Sequence, residues 1–321
     1  MEIVSAGSSS SGNSYIIIAG PHTIILDVGL PAKKIKGALE HLGCAPEDVG
    51  AVLVTHEHVD HVKSVRAISR CCMNADFFAS AGTVRSAQNF SHVPEERIRL
   101  MRSGDSVVIT GADKARGDET PDMPDDELCA DDELCADKEI CADDADDRVV
   151  IRSFSLSHDA AEPLGFSVEA GGEKLAVVTD CGTINDEVFE AVKDADQLVF
   201  EANHEEEMLM FGEYPYPVKV RIKSDMGHLS NVCAGDVLAR ILEHRARRRE
   251  QRQGDGSSDA PVRRPLRIML AHLSFHNNTP DFAKQTVEDR LDAAGFMKGS
   301  DYLLDVAAKE GLTFMPGESD A

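Results

Sequence analysis

The sequence contains no tryptophan and only 4 tyrosines in 321 residues. That argues against a nucleic-acid surface built as an extended aromatic stacking platform. No run of 18 apolar residues occurs, so nothing reads as a membrane-spanning helix. The opening Met-Glu-Ile-Val-Ser-Ala lacks the basic stretch and apolar core of a secretory signal. The 8 cysteines follow no disulfide-framework spacing; Cys44, Cys71, Cys72, Cys181 and Cys233 read as reduced and inert, and the chain as cytoplasmic. Basic charge is also scarce. Lys plus Arg number 33 against 57 for Asp plus Glu, a net −24, which excludes a uniformly basic, DNA-coating surface.

The acidic excess is unevenly placed. Gly111–Asp147 carries a net −13, leaving −11 for all the other residues. Inside that stretch stand three near-identical hexads, Asp126–Asp131, Asp132–Asp137 and Lys138–Asp143. A six-residue period fits neither a heptad nor a solenoid, and a stretch so polar cannot bury enough apolar surface to offset its ordering entropy. Residues 111–147 are therefore expected to be a disordered acidic low-complexity insertion. A metal-loading arm using Cys129, Cys135 and Cys141 is the competing reading, although their spacing is not that of a zinc knuckle.

Outside the insertion, short apolar runs alternate with amphipathic helices. Tyr15–Ala19 and Thr23–Asp27 read as a hairpin across Gly20-Pro21-His22. Further strands are expected at Ala51–Thr55, Val149–Leu156, Leu164–Ala170, Lys174–Thr179, Gln197–Glu201 and Arg267–Ala271. Helices are expected at Pro31–Leu42, Val62–Cys71, Val232–Arg249 and Asp281–Ala294. Two successive strand sets, each followed by helices, predict one α/β domain over residues 1–321 with two sheets face to face and helices outside.

The segment Thr55-His56-Glu57-His58-Val59-Asp60-His61 directly follows a buried strand and places four metal-ligand side chains within six residues. In extended chain His56 and His58 project to one side. If a helix starts near Asp60, the neighbours Asp60 and His61 diverge by about 100°. One pair can then serve one ion and the second pair its neighbour.

This H-x-H-x-D-H pattern resembles the signature of the metallo-β-lactamase superfamily, and other segments are similar to it in the same order. Asp27, His158, Asp180 and His272 each end or follow a strand, in Leu-Asp27-Val-Gly, Ser-His158-Asp, Thr-Asp180-Cys-Gly and Ala-His272-Leu-Ser. The resemblance implies a four-layer αββα sandwich and two divalent metal ions, Zn2+ first and Mn2+ as the alternative. One ion would be held by His56, His58 and His158, the other by Asp60, His61 and His272, with Asp180 bridging and Asp27 supporting the ligand loop. Two ions about 4 Å apart lower the pKa of a shared water to near neutrality and polarise the scissile group. Asp60 would orient that water or accept its proton.

Ala6–Ser14, Ser157–Pro163, Glu201–His204, Asp225–Asn231 and His272–Asn278 resemble the YycJ/WalJ group, bacterial metallo-β-lactamase-fold hydrolases associated with 5′-to-3′ DNA exonuclease activity. The segment Gly227-His228-Leu229-Ser230 is similar to a G-H-x-S segment of ribonuclease J relatives, in which the histidine contacts the phosphate being cut. His228 is thus expected to be catalytic, donating to a phosphate oxygen. Ser230 and Asn231, capping the next helix, and Ser11 and Asn13, in a Ser/Gly loop, are candidate substrate-binding residues; the bland readings are a simple cap and a flexible turn. Lys219, Arg221, Lys223 and the run Arg245–Arg252 would track a nucleic-acid backbone if they lie on the metal face, and otherwise form a solvated helix end. The function expected is that of a dinuclear phosphodiesterase acting on DNA ends. A small-molecule hydrolase of cyclic phosphodiesters or thioesters and a non-catalytic binding protein are the rivals. No membrane partner is expected, and the oligomeric state is not legible.

Overall fold

The fold is taken from a computed structural model that describes residues 1–110, 147–254 and 264–317. The acidic hexads, Cys129, Cys135, Cys141 and the Gly/Ser stretch after Gly254 lie outside the described residues, as does the side chain of Arg252.

Isoleucine-rich segments punctuated by Gly and Pro build the first sheet. Strands β1 (Glu2–Ser9), β2 (Gly12–Ala19) and β3 (His22–Leu26) form an antiparallel meander, with Gly20 turning the chain at φ 57°. Helix α1 (Ala32–His41) crosses to β4 (Val49–Leu53), parallel to β3. Helices α2 (Val59–Val62) and α3 (Val65–Cys71) lead to β5 (Asp76–Ala79), and α4 (Ala81–Ser86) precedes β6 (Ile98–Leu100). The segment read as one helix from Val62 is thus two. The break falls at Lys63-Ser64, where the Ser64 hydroxyl donates to the Leu30 carbonyl at 2.6 Å.

The second sheet starts with β7 (Ser106–Ile109), β8 (Val149–Ser155), β9 (Leu164–Ala170) and β10 (Glu173–Val178), all antiparallel. Parallel strands β11 (Gln197–Glu201), β12 (Leu266–Ala271) and β13 (Tyr302–Val306) follow. They are joined through α5 (Asp186–Val192), α6 (Glu206–Phe211), α7 (Tyr216–Ile222), α8 (Asn231–Gly254) and α9 (Pro280–Ala293), as parallel neighbours require. A short β14 (Thr313–Phe314) returns to pair with β1. The sheet orders are β14-β1-β2-β3-β4-β5-β6 and β13-β12-β11-β10-β9-β8-β7.

Three apolar layers hold the stack together. Between the sheets, Tyr15, Ile17, Ile24 and Leu53 meet Phe166, Val168, Val177, Val199 and Met269. Outside the first sheet, Ile35 and Leu39 of α1 and Val65 and Ile68 of α3 cover Ile16, Ile25 and Val52. Outside the second, Val188, Leu238, Ile241, Val287 and Leu291 cover Val178, Phe200 and Ile268. The order is therefore helix, sheet, sheet, helix. Full burial of one such Ile, Leu or Phe contributes about 1.5–3 kcal/mol, so each interface is held by many comparable contributions and by no single anchor.

The Ser/Gly stretch near the N-terminus is more ordered than a flexible turn. Only Ser10 and Ser11 form the turn, while Ser8, Ser9, Asn13 and Ser14 lie buried in the β1–β2 hairpin. The parallel pairings give β3 and β4 a common carboxyl end, and likewise β10, β11 and β12. Side chains from both sets of ends meet at one rim of the sandwich, and there the candidate ligands converge.

A candidate metal centre at the strand ends

Backbone geometry marks the site before its chemistry does. Among the described residues, the non-glycine positions with positive φ are Asp27 at 58°, Asp180 at 57° and His272 at 56°. They stand just beyond β3, β10 and β12. A left-handed conformation costs a residue with a Cβ about 1–2 kcal/mol, and such strain persists where the surroundings enforce it. Here each turn ends a strand and delivers a side chain into the rim.

The ligand segment follows β4 as expected. His58 sits at the amino end of α2, so Asp60 and His61 are already helical. That short helix is pinned to the residues after β3. The Val28 amide donates to the His61 carbonyl at 2.8 Å, and a Cβ on Gly29 would lie 1.5 Å from the Asp60 carbonyl oxygen. Glycine is required by that close backbone approach, even though Gly29 does not have a positive φ.

Four imidazoles obey one rule: Nδ1 is tied back into the protein, and Nε2 is left toward the cluster. His56 Nδ1 meets the Thr55 hydroxyl at 3.0 Å. His61 Nδ1 meets Asp27 Oδ2 at 2.7 Å, while Asp27 also accepts from the Thr55 amide at 2.9 Å. His158 Nδ1 meets the Gly227 carbonyl at 3.1 Å, and His272 Nδ1 meets Glu201 Oε1 at 2.9 Å. This is how proteins orient metal-ligating histidines. His58 departs from the rule, with Nδ1 3.4 Å from His158 Nε2.

On the cluster side, Asp180 is central. Its oxygens lie 3.0 Å from His61 Nε2, 3.6 Å from His158 Nε2 and 3.4 Å from His272 Nε2. His56 Nε2 is buried with no hydrogen-bond partner among the described residues, an orphan that a bound cation would satisfy. Four sets of potential donor atoms fall within 4.8 Å of one another and could hold ions: His56, His58 and His158; Asp60, His61 and His272; His56, His61 and Asp180, which joins the first two; and Asp180, Glu201, His228 and His272. The residues present fit a pair of divalent cations.

Electrostatics agree. Burial opposes charge on His61 and His272, but nearby carboxylates override it. Asp27, Asp180 and Asp60 hold His61 well above the usual imidazole range, and Asp180, Asp60 and Glu201 bring His272 up to about 10. Burial and the neighbouring His61 push His56 well below that range. Burial would raise Asp60 and Asp180, yet the surrounding histidines hold both far below the ordinary carboxylate range. The concentrated negative charge draws protons to Nε2 atoms when nothing more positive is present. A metal ion competes for the same charge.

His228 reaches the same cluster. Its ring stacks on His272 with centroids 5.3 Å apart, and its Nδ1 lies 2.8 Å from Glu201 Oε1. Glu201 stood in a segment that carries the family resemblance, but the sequence assigned it no role in the site. It is wholly buried, touches both His228 and His272, and accepts from the Cys181 amide at 2.9 Å. Burial alone would raise its carboxyl, but His228 and His272 bring it down to about 2. The signal was present in the sequence, since Glu201 ends a buried apolar run much as Asp27 does. Asp159 was also missed; its Oδ1 stands 3.3 Å from His158 Nε2. Cys181 is no ligand candidate. Its thiol donates to the Thr183 carbonyl, and burial pushes it up to about 12.

The four substrate-binding candidates divide. Ser230 is the helix cap, its hydroxyl accepting from the Cys233 amide at 3.2 Å. Asn231 is buried and exchanges hydrogen bonds with Asn278. Asn13 is fully buried, accepts from Ser8 and Ser9, and reaches His61 Nε2 at 3.2 Å. Ser11 is exposed and bonds only locally, to Ser9. Asn13 and Asn231 are thus built into the frame of the rim.

Arg245 and Arg248 of the arginine run do not lie on the metal face. Arg245 and Arg248 bind Ala195, Asp196 and Asp194, at the start of β11, whereas the site is at its end. The reason is length: α8 leaves the rim at Asn231, and Arg245 lies about 20 Å farther along it. Lys219, Arg221 and Lys223 stay near the rim on α7, where Arg221 pairs with Asp159, and Lys223 with Glu206 at 3.3 Å.

Residues 30–247 match the family described as "Beta-lactamase superfamily domain". The chain belongs to the beta-lactamase superfamily. Within it, the chain is similar to the exodeoxyribonuclease WalJ of Streptococcus pneumoniae serotype 2 (strain D39 / NCTC 7466), at 28% identity over 92% of this chain and 90% of WalJ. It is equally similar to the exodeoxyribonuclease YycJ of Bacillus anthracis, at 28% identity over 91% of this chain and 89% of YycJ. Among solved structures, Zn(2+)-bound PqqB from Methylobacterium extorquens superposes with a TM-score of 0.58, at 14% identity over 98% of this chain and 99% of PqqB. The metallo-beta-lactamase fold protein YhfI from Bacillus subtilis superposes with a TM-score of 0.56, at 13% identity over 98% of this chain and 100% of YhfI. At such identities the likeness concerns the fold alone, the metallo-β-lactamase sandwich. Membership and these relatives make the chain a metal-dependent hydrolase. Among the described residues no helix is long and apolar enough to cross a membrane.

Proposed function

We propose that the protein is a dinuclear metal-dependent phosphodiesterase that removes nucleotides from DNA ends in the 5′-to-3′ direction. The observation that carries this reading is Asp180, set among the Nε2 atoms of His61, His158 and His272, with His228 alongside on a shared carboxylate. His56, His58 and His158 would hold one ion, Asp60, His61 and His272 the other, and Asp180 both. Zn2+ suits the histidine-rich set, and Mn2+ its carboxylates. When bound, the ions supply an acidified water and polarise the phosphate.

The remaining chemistry belongs to the chain. Asp60, held ionised, would orient the attacking water. Glu201 fixes the His228 ring through Nδ1, so that a proton on Nε2 can be donated to a non-bridging phosphate oxygen as charge develops. Ser230 caps α8 through the Cys233 amide, and the Asn231 amide donates to the His204 carbonyl, so the start of α8 holds the His228 loop in place and does not offer free amides to the anion.

A second reading, hydrolysis of a small cyclic phosphodiester or a thioester, uses the same residues. It is favoured by the charge outside the insertion, which is still −11, and by the placement of Arg245 and Arg248 away from the rim. The two separate in one assay, with protein loaded with Mn2+ or Zn2+ and given 5′-phosphorylated single-stranded DNA, a cyclic phosphodiester or a thioester. Release of 5′ mononucleotides is expected. Turnover of either small ester without nucleotide release would overturn the nuclease reading.

A further inference from the structure

The loop after β12 carries the ligand His272 and then Leu273, Ser274, Phe275, His276, Asn277 and Asn278. Four of these last six are buried, and only Phe275 and His276 are exposed. The loop is firmly held. The Ser274 amide donates to the Asn203 carbonyl at 2.8 Å, and the Glu205 amide donates to the Asn277 carbonyl at 2.8 Å. The Asn278 side chain donates to the Ala202 carbonyl at 2.8 Å. The phenyl ring of Phe275 is nevertheless 63% exposed. A single exposed apolar side chain is ordinary, and Phe211 is more exposed still; what sets Phe275 apart is its place on a bonded loop beside His272 and the groups around its ring.

The ring also has chosen company. Lys309 Nζ stands 3.5 Å from its centroid, His276 packs edge-on at 4.9 Å, and Tyr214 continues the row 5.6 Å from His276. Tyr214 lies between α6 and α7, so the row joins the metal ligand loop to the element bearing Arg221. It is an aromatic row with a cation against one ring, beginning three residues from a metal ligand. Three residues of chain span at most about 11 Å, roughly three nucleotide steps at about 3.4 Å each.

We infer that Phe275, with His276 and Tyr214, is a stacking platform for unpaired nucleobases next to the cut phosphate, with Lys309 pairing the backbone beside it; this rests on the phosphodiesterase reading above. A base needs an exposed π-face held still, which the bonded loop provides, and stacking tolerates any base. A sequence-indifferent exonuclease needs that tolerance, because every nucleotide in turn must pass the same point. The lack of tryptophan does not preclude it; one Phe on a rigid loop suffices for one base.

The test compares wild type with Phe275→Ala, Phe275→Leu and Phe275→Trp, all full-length and metal-loaded, with melting temperature and metal content as folding controls. The probes are a 5′-phosphorylated, 3′-fluorescein single-stranded DNA, the same oligonucleotide with abasic sugars at its 5′ positions, and the equivalent RNA. Phe275→Ala should raise the Kd and KM for the intact DNA about tenfold, with a smaller effect on kcat. Phe275→Trp should restore wild-type values, and Phe275→Leu, apolar without a π-face, should not. Wild type should bind the abasic probe about as weakly as Phe275→Ala binds the intact one, and the substitution should add no further loss on it. The RNA arm reports whether the platform is indifferent to the sugar, in which case the Phe275→Ala loss equals that on DNA; a loss confined to DNA still assigns the platform. If wild type binds and cuts the DNA and Phe275→Ala does so equally well, the platform is wrong and the phosphodiesterase reading stands. If wild type neither binds nor cuts any of the probes, both fall together.

Discussion

At the scale of single residues, the site depends on the groups behind the ligands as much as on the ligands themselves. Glu201 holds two rings through one oxygen, His272 at 2.9 Å and His228 at 2.8 Å, and its other oxygen accepts from two backbone amides. Glu201→Gln keeps the shape but removes the charge that fixes both rings by their Nδ1 protons. The expected outcome is metal affinity weakened about 10- to 100-fold, read by chelator competition. An unchanged chelator midpoint would show that Glu201 is merely packed. The residue was legible only in part. A carboxylate at the end of an apolar strand was visible in the sequence, but its two partners come from segments 27 and 71 residues away, and no local pattern announces them. His56, His58, Asp60 and His61 stood out by their H-x-H-x-D-H spacing, and Asp27, His158, Asp180 and His272 by the family resemblance alone; the structure brings all eight to one rim. Asn13 and Asn231 were read as candidate substrate-binding residues because sequence cannot tell an exposed polar side chain from one buried against another.

At the scale of elements, what the sequence conveyed was period and termini, and what it hid was close approach. The strands at Leu164–Ala170 and Gln197–Glu201 fall as read, because buried strands are short apolar runs. Strands β1, β5, β6, β7, β13 and β14 were not read: β1 is interrupted by Ser and Gly, β6 and β7 are largely exposed, β5 and β14 span only 4 and 2 residues, and β13 carries an Asp in its short run. Gly29 shows the hidden kind of constraint most sharply. Its α-carbon faces the Asp60 carbonyl at a distance that admits no side chain, so Gly29→Ala must push α2 away from β3. The expected cost is about 3 kcal/mol or more in chemical unfolding, together with loss of metal, because Asp60 and His61 move with the helix. A variant of wild-type stability and metal content would show that α2 is not held where the structure places it. The arginine run teaches the converse lesson. Its sequence is conspicuous, but helix length carries Arg245 and Arg248 to the far end of the sandwich, where Asp194 and Asp196 neutralise them.

At the scale of the whole molecule, charge links the site to stability. In the metal-free protein the raised His61 and His272 and the lowered Glu201 act on opposite sides of neutrality. His272, at about 10 folded against about 6.5 unfolded, contributes stability that is fully present below about pH 6.5 and is lost as the pH rises toward 10. Glu201, at about 2 folded against about 4.3 unfolded, contributes stability present above about pH 4.3 and lost as the pH falls toward 2. Metal-free protein should therefore lose melting temperature steadily from pH 6.5 upward. Metal loading should flatten that decline and release about two protons per chain near neutral pH, as the rings of His61 and His272 give up Nε2 protons. Calorimetry in buffers of different ionisation enthalpy measures the release; none detected would mean that the rings are already neutral and the carboxylates do not control them. The net charge of −24 falls into place at this scale too, since more than half belongs to residues 111–147 and the cluster at the rim is a local balance of histidine against carboxylate. The central claim is that this cluster holds two ions and with them cuts a phosphodiester. It is tested most directly by measuring bound metal and nucleotide release from 5′-phosphorylated single-stranded DNA on the same samples of wild type and Asp180→Ala. Two ions per chain with nucleotide release in the wild type, and loss of both in the variant, is the predicted result; an Asp180→Ala protein that keeps both ions and normal turnover would contradict it.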